Sequence, residues 1–293
     1  MKSYEVYSLA IGANLTFSTA SMVMSHYAKR FSPIWVNQLK VLIATLAFIT
    51  AFFVTQEVFA VSMTSGLLLF CSGFIGLCVG DIFLFRAFTT IGTGKTLVMF
   101  SCEPLLLGMY GYLFLGQVFS VNQTLAVICM IVCVFIFMLE RNKLTGSWDL
   151  KYFFWAFIGI TMDAMGIMLT RTAYEVAPQM ETFQVNIIRC CGAITGFILL
   201  NPTGYLKVTR ELVLLRKREI TLLVGASLSG TFIALSLYLT ALKYAHMGTL
   251  TAISITGPVW VSLIECFYYR RLPNFYLICA FSFFLTGFYL MIT

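Results

Sequence analysis

Long apolar stretches alternate with short polar or charged separators along the whole chain. Windows of low charge fall at about residues 5–27, 34–55, 63–89, 94–115, 119–139, 151–174, 182–200, 219–243, 247–268 and 274–292. Each is near the roughly 20 residues that a helix needs to cross about 30 Å of hydrocarbon. The pattern predicts ten membrane-spanning helices and leaves no length for a soluble domain. The separators carry turn or charge signals, as in Arg30-Phe31-Ser32-Pro33, Ile91-Gly92-Thr93-Gly94, Arg141-Asn142-Lys143, Asn201-Pro202-Thr203-Gly204 and Arg270-Arg271-Leu272-Pro273. Only Lys2 and Glu5 precede the first stretch, which ends at His26, Lys29 and Arg30 without a small-residue cleavage site, so it reads as a retained span.

Composition agrees with this pattern. The 293 residues are 60% hydrophobic and 11% charged, against roughly 45–50% and 25% in soluble domains. The formal charge of +7 raises the question of nucleic acid. The basic residues, however, sit at span ends and in short loops, where they set membrane topology, and no nucleic-acid partner is expected. Nine cysteines fall mostly inside apolar stretches without Cys-x-x-Cys spacing, which reads as core packing and not as a redox or zinc site.

The chain resembles itself. At an offset of 149, Val36-Asn37 and Lys40 fall on Val185-Asn186 and Arg189, and Ala44, Phe48 and Ile49 fall on Ala193, Phe197 and Ile198. At an offset of 154, Gly76, Ala87, Gly94, Pro104 and Ala126 fall on Gly230, Ala241, Gly248, Pro258 and Ala280 without a gap. The expected units are residues 1–145 and 146–293, each with five spans. An odd number of spans makes the second copy enter the membrane the other way round. The expected fold is therefore an all-α integral membrane protein with ten transmembrane helices in two inverted five-helix repeats. That plan recurs in secondary transporters, with substrate held near the midplane where the halves meet.

These features resemble the drug/metabolite transporter superfamily in its ten-span EamA-type branch. The resemblance covers nearly the whole chain: two five-span halves, a proline before a span with a basic residue (Pro33 then Lys40, Pro178 then Arg189), Glu103-Pro104 followed by Leu115-Gly116, and Pro258 in the second half. The sequence departs from the pattern at Gly116-Gln117 and Arg270-Arg271, where such proteins commonly have Gly-Glu.

Ionisable groups at membrane depth are costly and mark functional sites. Lys40 and Arg189 are repeat-equivalent, and each has an amide three residues earlier, Asn37 and Asn186; that spacing puts amide and cation on one helix side. Such a cluster suits a carboxylate on a substrate, or else the cations pair with Asp81, Glu103 or Asp163. Asn14 joins the expected substrate contacts because Asn14, Phe17, Ser18 and Ser21 form one helical stripe, and Asp163, Gly166 and Thr170 form a similar one. Glu103, Asp81 and Asp163 are candidates for proton coupling. Burial disfavours a carboxylate's charge and a neighbouring cation favours it, so the protonation of Glu103 stays open in both directions. Pro104 removes one helical hydrogen bond beside Glu103 and predicts a kink. Arg86, Lys95, Arg171 and Lys243, nearer span ends, are expected to snorkel. Trp35, Trp260 and Tyr238 are candidates for the cavity wall or for interface anchors. Gly76-x-x-x-Gly80 and Gly192-x-x-x-Gly196 have the spacing that lets helices approach closely.

No His-Glu-x-x-His, Gly-x-Ser-x-Gly or phosphate-cradling glycine motif is present. No catalytic residue, metal or cofactor is expected. The reading that emerges is a secondary transporter in the plasma (inner) membrane. It exports small polar metabolites such as amino acids or organic acids by alternating access, with protons as a coupling partner and the lipid bilayer as its surroundings. An intramembrane enzyme is the alternative. Loop charges put Lys29, Arg30, Arg141, Lys143, Lys207, Arg210 and Arg216 on one side, which places both termini outside the cytoplasm; the resemblance implies termini inside.

Overall fold

The computed structural model describes residues 3–56, 61–100, 103, 106–107, 109–110, 121–145, 150–244 and 275–292. All regular structure among them is helical. The helices are α1 (Ser3–Arg30), α2 (Pro33–Thr55), α3 (Met63–Thr90), α4 (Thr93–Met99), α5 (Val121–Thr145), α6 (Leu150–Val176), α7 (Thr182–Leu200), α8 (Gly204–Val213), α9 (Lys217–Tyr244) and α10 (Phe275–Ile292). Every predicted span except the ninth is represented. The ninth lies outside the described residues, as do Pro104, Gly116-Gln117, Pro258, Trp260 and Arg270-Arg271. The short α8 was not predicted as a helix.

Five of the described helices, α2, α3, α6, α7 and α9, are long and apolar enough to cross a membrane. α1 is 28 residues long and is not among them, because polar residues such as Asn14, Ser18, Ser21 and Ser25 lower its hydropathy; Ser18, Ser21 and Ser25 are buried, and the Ser25 hydroxyl donates to the Phe88 carbonyl at 3.3 Å. Local sequence sets the helix starts. Ser32 caps α2 by accepting from the Trp35 N–H at 3.0 Å, with Pro33 in the first turn where its missing donor is harmless. Ser62 and Ser65 close a reciprocal cap on α3.

The packing is pairwise and reciprocal between the halves. α1 lies along α9, and its counterpart α6 lies along α3; α2 lies against its own counterpart α7, and α5 against α10. Directions follow from the contacts. The Phe48 ring, late in α2, is 6.5 Å from Phe183 at the start of α7, while Gly204, just past the end of α7, abuts the Gln38 amide near the start of α2. The equivalent helices α2 and α7 are therefore antiparallel, as inverted repeats require. Likewise Gly12 faces Leu237, Gly230 faces Ala20, and Arg30 pairs with Glu219, so α1 and α9 run in opposite directions.

α3 and α9 each contain a stretch wound as π-helix, Gly73–Gly80 and Leu228–Ile233. The 154-residue offset superposes them. π-turns are rare, widen the helix locally and accompany functional sites; here they sit where the halves press closest. A Cβ on Gly73 would lie 1.7 Å from the Arg189 carbonyl oxygen, and one on Gly192 2.1 Å from that of Phe70. Gly76 and Gly80 meet α6, and Gly196 meets Cys78 of α3, so both small-residue pairs read from the sequence serve close approach.

Two outcomes follow. Gly73→Ala drives a side chain into backbone and lowers the thermal unfolding midpoint of the detergent-solubilised protein, at a cost at or above the ~1–3 kcal/mol of ordinary overpacking. Gly225→Ala, where a Cβ meets nothing within 4 Å, holds or slightly raises the midpoint, as an unstrained helical Gly→Ala change does; equal behaviour of the two variants would contradict the packing described. The antiparallel pairs also put Arg30, α8 and the start of α9 at one end of the bundle. With that basic end cytoplasmic, an export-dependent phosphatase fused at Thr293 is active and a cytoplasm-only fluorescent reporter there is dark; the reverse pattern would invert the orientation.

Candidate functional site

A cavity of about 110 Å³ opens where the halves meet. Its wall takes Asn14, Phe17 and Ser18 from α1, Lys40 from α2, Leu77 and Asp81 from α3, Asp163 and Ile167 from α6, Arg189 from α7, and Gly230, Thr231 and Tyr238 from α9, with Leu97, Phe100 and Glu103 beside them. The two π-wound stretches reach this wall directly. Leu77 lies in the first, Asp81 immediately follows it, and Gly230 and Thr231 lie in the second.

The repeat-equivalent cations are held differently. Lys40 Nζ donates to Asp81 Oδ2 at 2.6 Å, with both residues buried, and it sits 4.9 Å from the centre of the Phe85 ring, whose face attracts a cation. Arg189 is 1% exposed and donates through Nε to the Ser72 hydroxyl at 3.0 Å. Ser72 in turn donates to the Gly166 carbonyl at 2.6 Å and lies 2.8 Å from the Thr170 hydroxyl. Arg189 Nη1 is buried without a hydrogen-bond partner among the described residues. One cation is thus neutralised by a carboxylate in direct contact, whereas the other is oriented by a hydroxyl.

The carboxylates divide in a corresponding way. Asp81 is engaged by Lys40. Asp163 is half-buried at the cavity wall, within electrostatic reach of Arg189, and Glu103 is buried beside it in the same wall. Two cations and three carboxylates therefore share one small volume, a density of buried charge that an ordinary helix bundle does not carry.

Of the substrate contacts expected from sequence, Asn14, Lys40 and Arg189 line the cavity, as do all three proton-coupling candidates, Glu103, Asp81 and Asp163. Asn37 and Asn186 do not. Both are fully buried, and Asn186 Nδ2 donates to the Thr182 carbonyl of its own helix at 3.1 Å. Lys and Arg are long enough to reach the cavity; the shorter amides one turn earlier end inside the helix packing. Tyr238 lines the cavity, whereas Trp35 stacks on Phe31 at 4.3 Å. Arg171 and Lys243 do reach toward span ends, to the Leu242 and Met180 carbonyls. Sequence reasoning missed Ser72, the support of Arg189, because its partners lie 94 or more residues away. Among the described residues no three His, Cys, Asp or Glu side chains are grouped to hold a metal ion.

Comparison with known proteins bears on the whole chain. The EamA-like transporter family matches residues 5–139 and again 150–293. None of the curated proteins compared with the chain matches it. Among solved structures, a crystal structure described only as that of a protein superposes with a TM-score of 0.67 over 99% of this chain and 96% of its own, at 14% identity, a likeness of fold. With an inverted pair of helical halves, a charged cavity between them and a family match over nearly every residue, the chain belongs to the EamA-like transporter family, membrane transporters of the drug/metabolite transporter superfamily.

Proposed function

We propose that this transporter carries small zwitterionic metabolites, amino acids or related organic acids, outward across the plasma (inner) membrane by alternating access with proton coupling. The observation that carries the reading is the division of charge in the cavity. Lys40 and Asp81 satisfy each other. That leaves one guanidinium with a partnerless nitrogen, Arg189 Nη1, and two carboxylates, Asp163 and Glu103, on the same wall. A substrate carboxylate supplies the missing acceptor for Arg189, and its ammonium neutralises Asp163. Glu103 is then a third charge with no counter-ion supplied by a zwitterion, and it takes or releases the coupled proton.

The supports around the site suit this task. Ser72 fixes the Arg189 head through Nε and leaves Nη1 without a partner among the described residues, a donor on a planar head suited to a carboxylate. Phe17, Phe100, Ile167 and Leu77 give the cavity an apolar lining that strengthens charge interactions and admits a small side chain. The units 1–145 and 146–293 rock against one another about the α2–α7 contact in this reading. The wide turns at Gly73–Gly80 and Leu228–Ile233 are the places where helix geometry is already relaxed.

In proteoliposomes loaded with a panel of labelled amino acids, Arg189→Ala loses about ten- to hundredfold in transport kcat/KM, as removal of a charged hydrogen bond implies. Asp163→Asn weakens the preference for a free amino acid over its N-acetylated form. Glu103→Gln keeps substrate binding but makes flux independent of a pH gradient, because an amide preserves shape and cannot exchange a proton. Wild-type kinetics in Arg189→Ala, or an unchanged preference in Asp163→Asn, would contradict the zwitterion site; gradient-driven flux at wild-type rate in Glu103→Gln would make that residue structural.

A further inference from the structure

α8 follows α7 without re-entering the bundle, and with 10 residues it is too short to cross a bilayer. Its inner side is anchored. Val208 is fully buried in the cluster that holds Trp35 and Leu39 at the start of α2, with Leu212 and Leu215 packed against the same cluster. Its outer side does not fit water. Leu206, Val213 and Leu214 are 72%, 80% and 79% exposed, and they share that side with the exposed Lys207 and Arg210. Arg216, Lys217 and Arg218, also exposed, follow at once where the chain turns into α9. The acidic groups nearby are already engaged: Glu211 faces Lys207 at 3.8 Å, and Glu219 pairs with Arg30. Arg210, Lys217 and Arg218 have no ion-pair partner among the described residues.

We infer that α8 and the basic turn into α9 form a binding site for anionic phospholipid, with Leu206, Val213 and Leu214 set into the acyl boundary and Lys207, Arg210 and Arg218 against the headgroup phosphates. Apolar residues on the outer side of a surface helix, flanked by long cations that can snorkel to the headgroups, suit a helix that lies in the membrane interface. A soluble acidic partner would account for the charges and leave the three apolar side chains unexplained. A neutral lipid surface would account for the apolar side chains and leave the charge unexplained. Only an anionic bilayer surface meets both. The site also sits on the first turns of α2, through Gly204 against Gln38, two residues before Lys40. Lipid binding at α8 therefore steadies the helix that carries one member of the buried ion pair. The proposal rests on the surface of the molecule and does not depend on which substrate occupies the cavity.

The test uses the full chain in nanodiscs of phosphatidylcholine alone or mixed with phosphatidylglycerol. Amide hydrogen exchange over residues 204–218 and the thermal unfolding midpoint are read in both. In the mixed discs exchange slows and the midpoint rises, and high salt removes both effects. Lys207→Gln, Arg210→Gln and Arg218→Gln combined abolish most of the difference between the two lipids, each neutralised cation weakening the association about fivefold, while Leu206→Ser with Val213→Ser speeds exchange in either lipid. Equal exchange in the two lipids, a full phosphatidylglycerol effect in the triple variant, or reproduction of that effect by inorganic phosphate added to phosphatidylcholine discs would overturn the proposal. Because wild-type protein in salt supplies the same contrast, poor folding of a variant leaves the outcome decisive.

Discussion

Charge buried among apolar helices is the constraint on which the rest of this structure depends. A lysine and an aspartate taken from water are each unfavourable alone, and removing one partner of such a pair costs about 3–5 kcal/mol. Lys40 and Asp81 meet at 2.6 Å, so α2 and α3 are bound to one register. Asp81 begins the α-helical turns that follow Gly73–Gly80. A fixed charge contact and a widened helical stretch therefore adjoin, and the cavity wall is built on that junction.

Inversion of the repeats explains how this small volume acquires so many ionisable groups. Two copies of one helix, running antiparallel, bring Lys40 and Arg189 to the wall of one cavity. The duplication does not make them do the same work. Asp81 lies on the α3 copy, and 154 residues on, Leu235 stands in its place, so the second half has no carboxylate at the equivalent position. Arg189 is held instead by Ser72. The proposed substrate site rests on this asymmetry, in which Arg189 Nη1 has no hydrogen-bond partner among the described residues.

The sequence showed the architecture well because apolar span length and repeat offset are one-dimensional signals. The order of spans, the kinship of α2 with α7, and the six ionisable or amide residues Asn14, Lys40, Asp81, Glu103, Asp163 and Arg189 that reach the cavity could be read from it. Pairing could not, since Lys40 had three possible carboxylates and only distance selects Asp81. Asn37 and Asn186 lie away from the cavity wall, since spacing along a helix reports direction and not reach. The π-wound turns have no residue signature beyond glycine, and α8 was hidden because its basic residues read as a loop when only charge is considered. The expected kink at Pro104 and the ninth span fall outside the described residues.

Whether the Lys40–Asp81 pair serves transport or only folding is the central question, and one pair of readings on one protein decides it. In Lys40→Met combined with Asp81→Leu, both charges are gone and neither is left unpaired, so the unfolding midpoint stays at or above the wild-type value, as replacement of buried ion pairs by apolar residues often allows. Uptake of labelled amino acid by proteoliposomes bearing this folded double variant is predicted to persist and to keep its dependence on the pH gradient, because Arg189, Asp163 and Glu103 are untouched. Loss of uptake, or of its pH dependence, in that folded protein would put the pair in the transport machinery and would contradict the account.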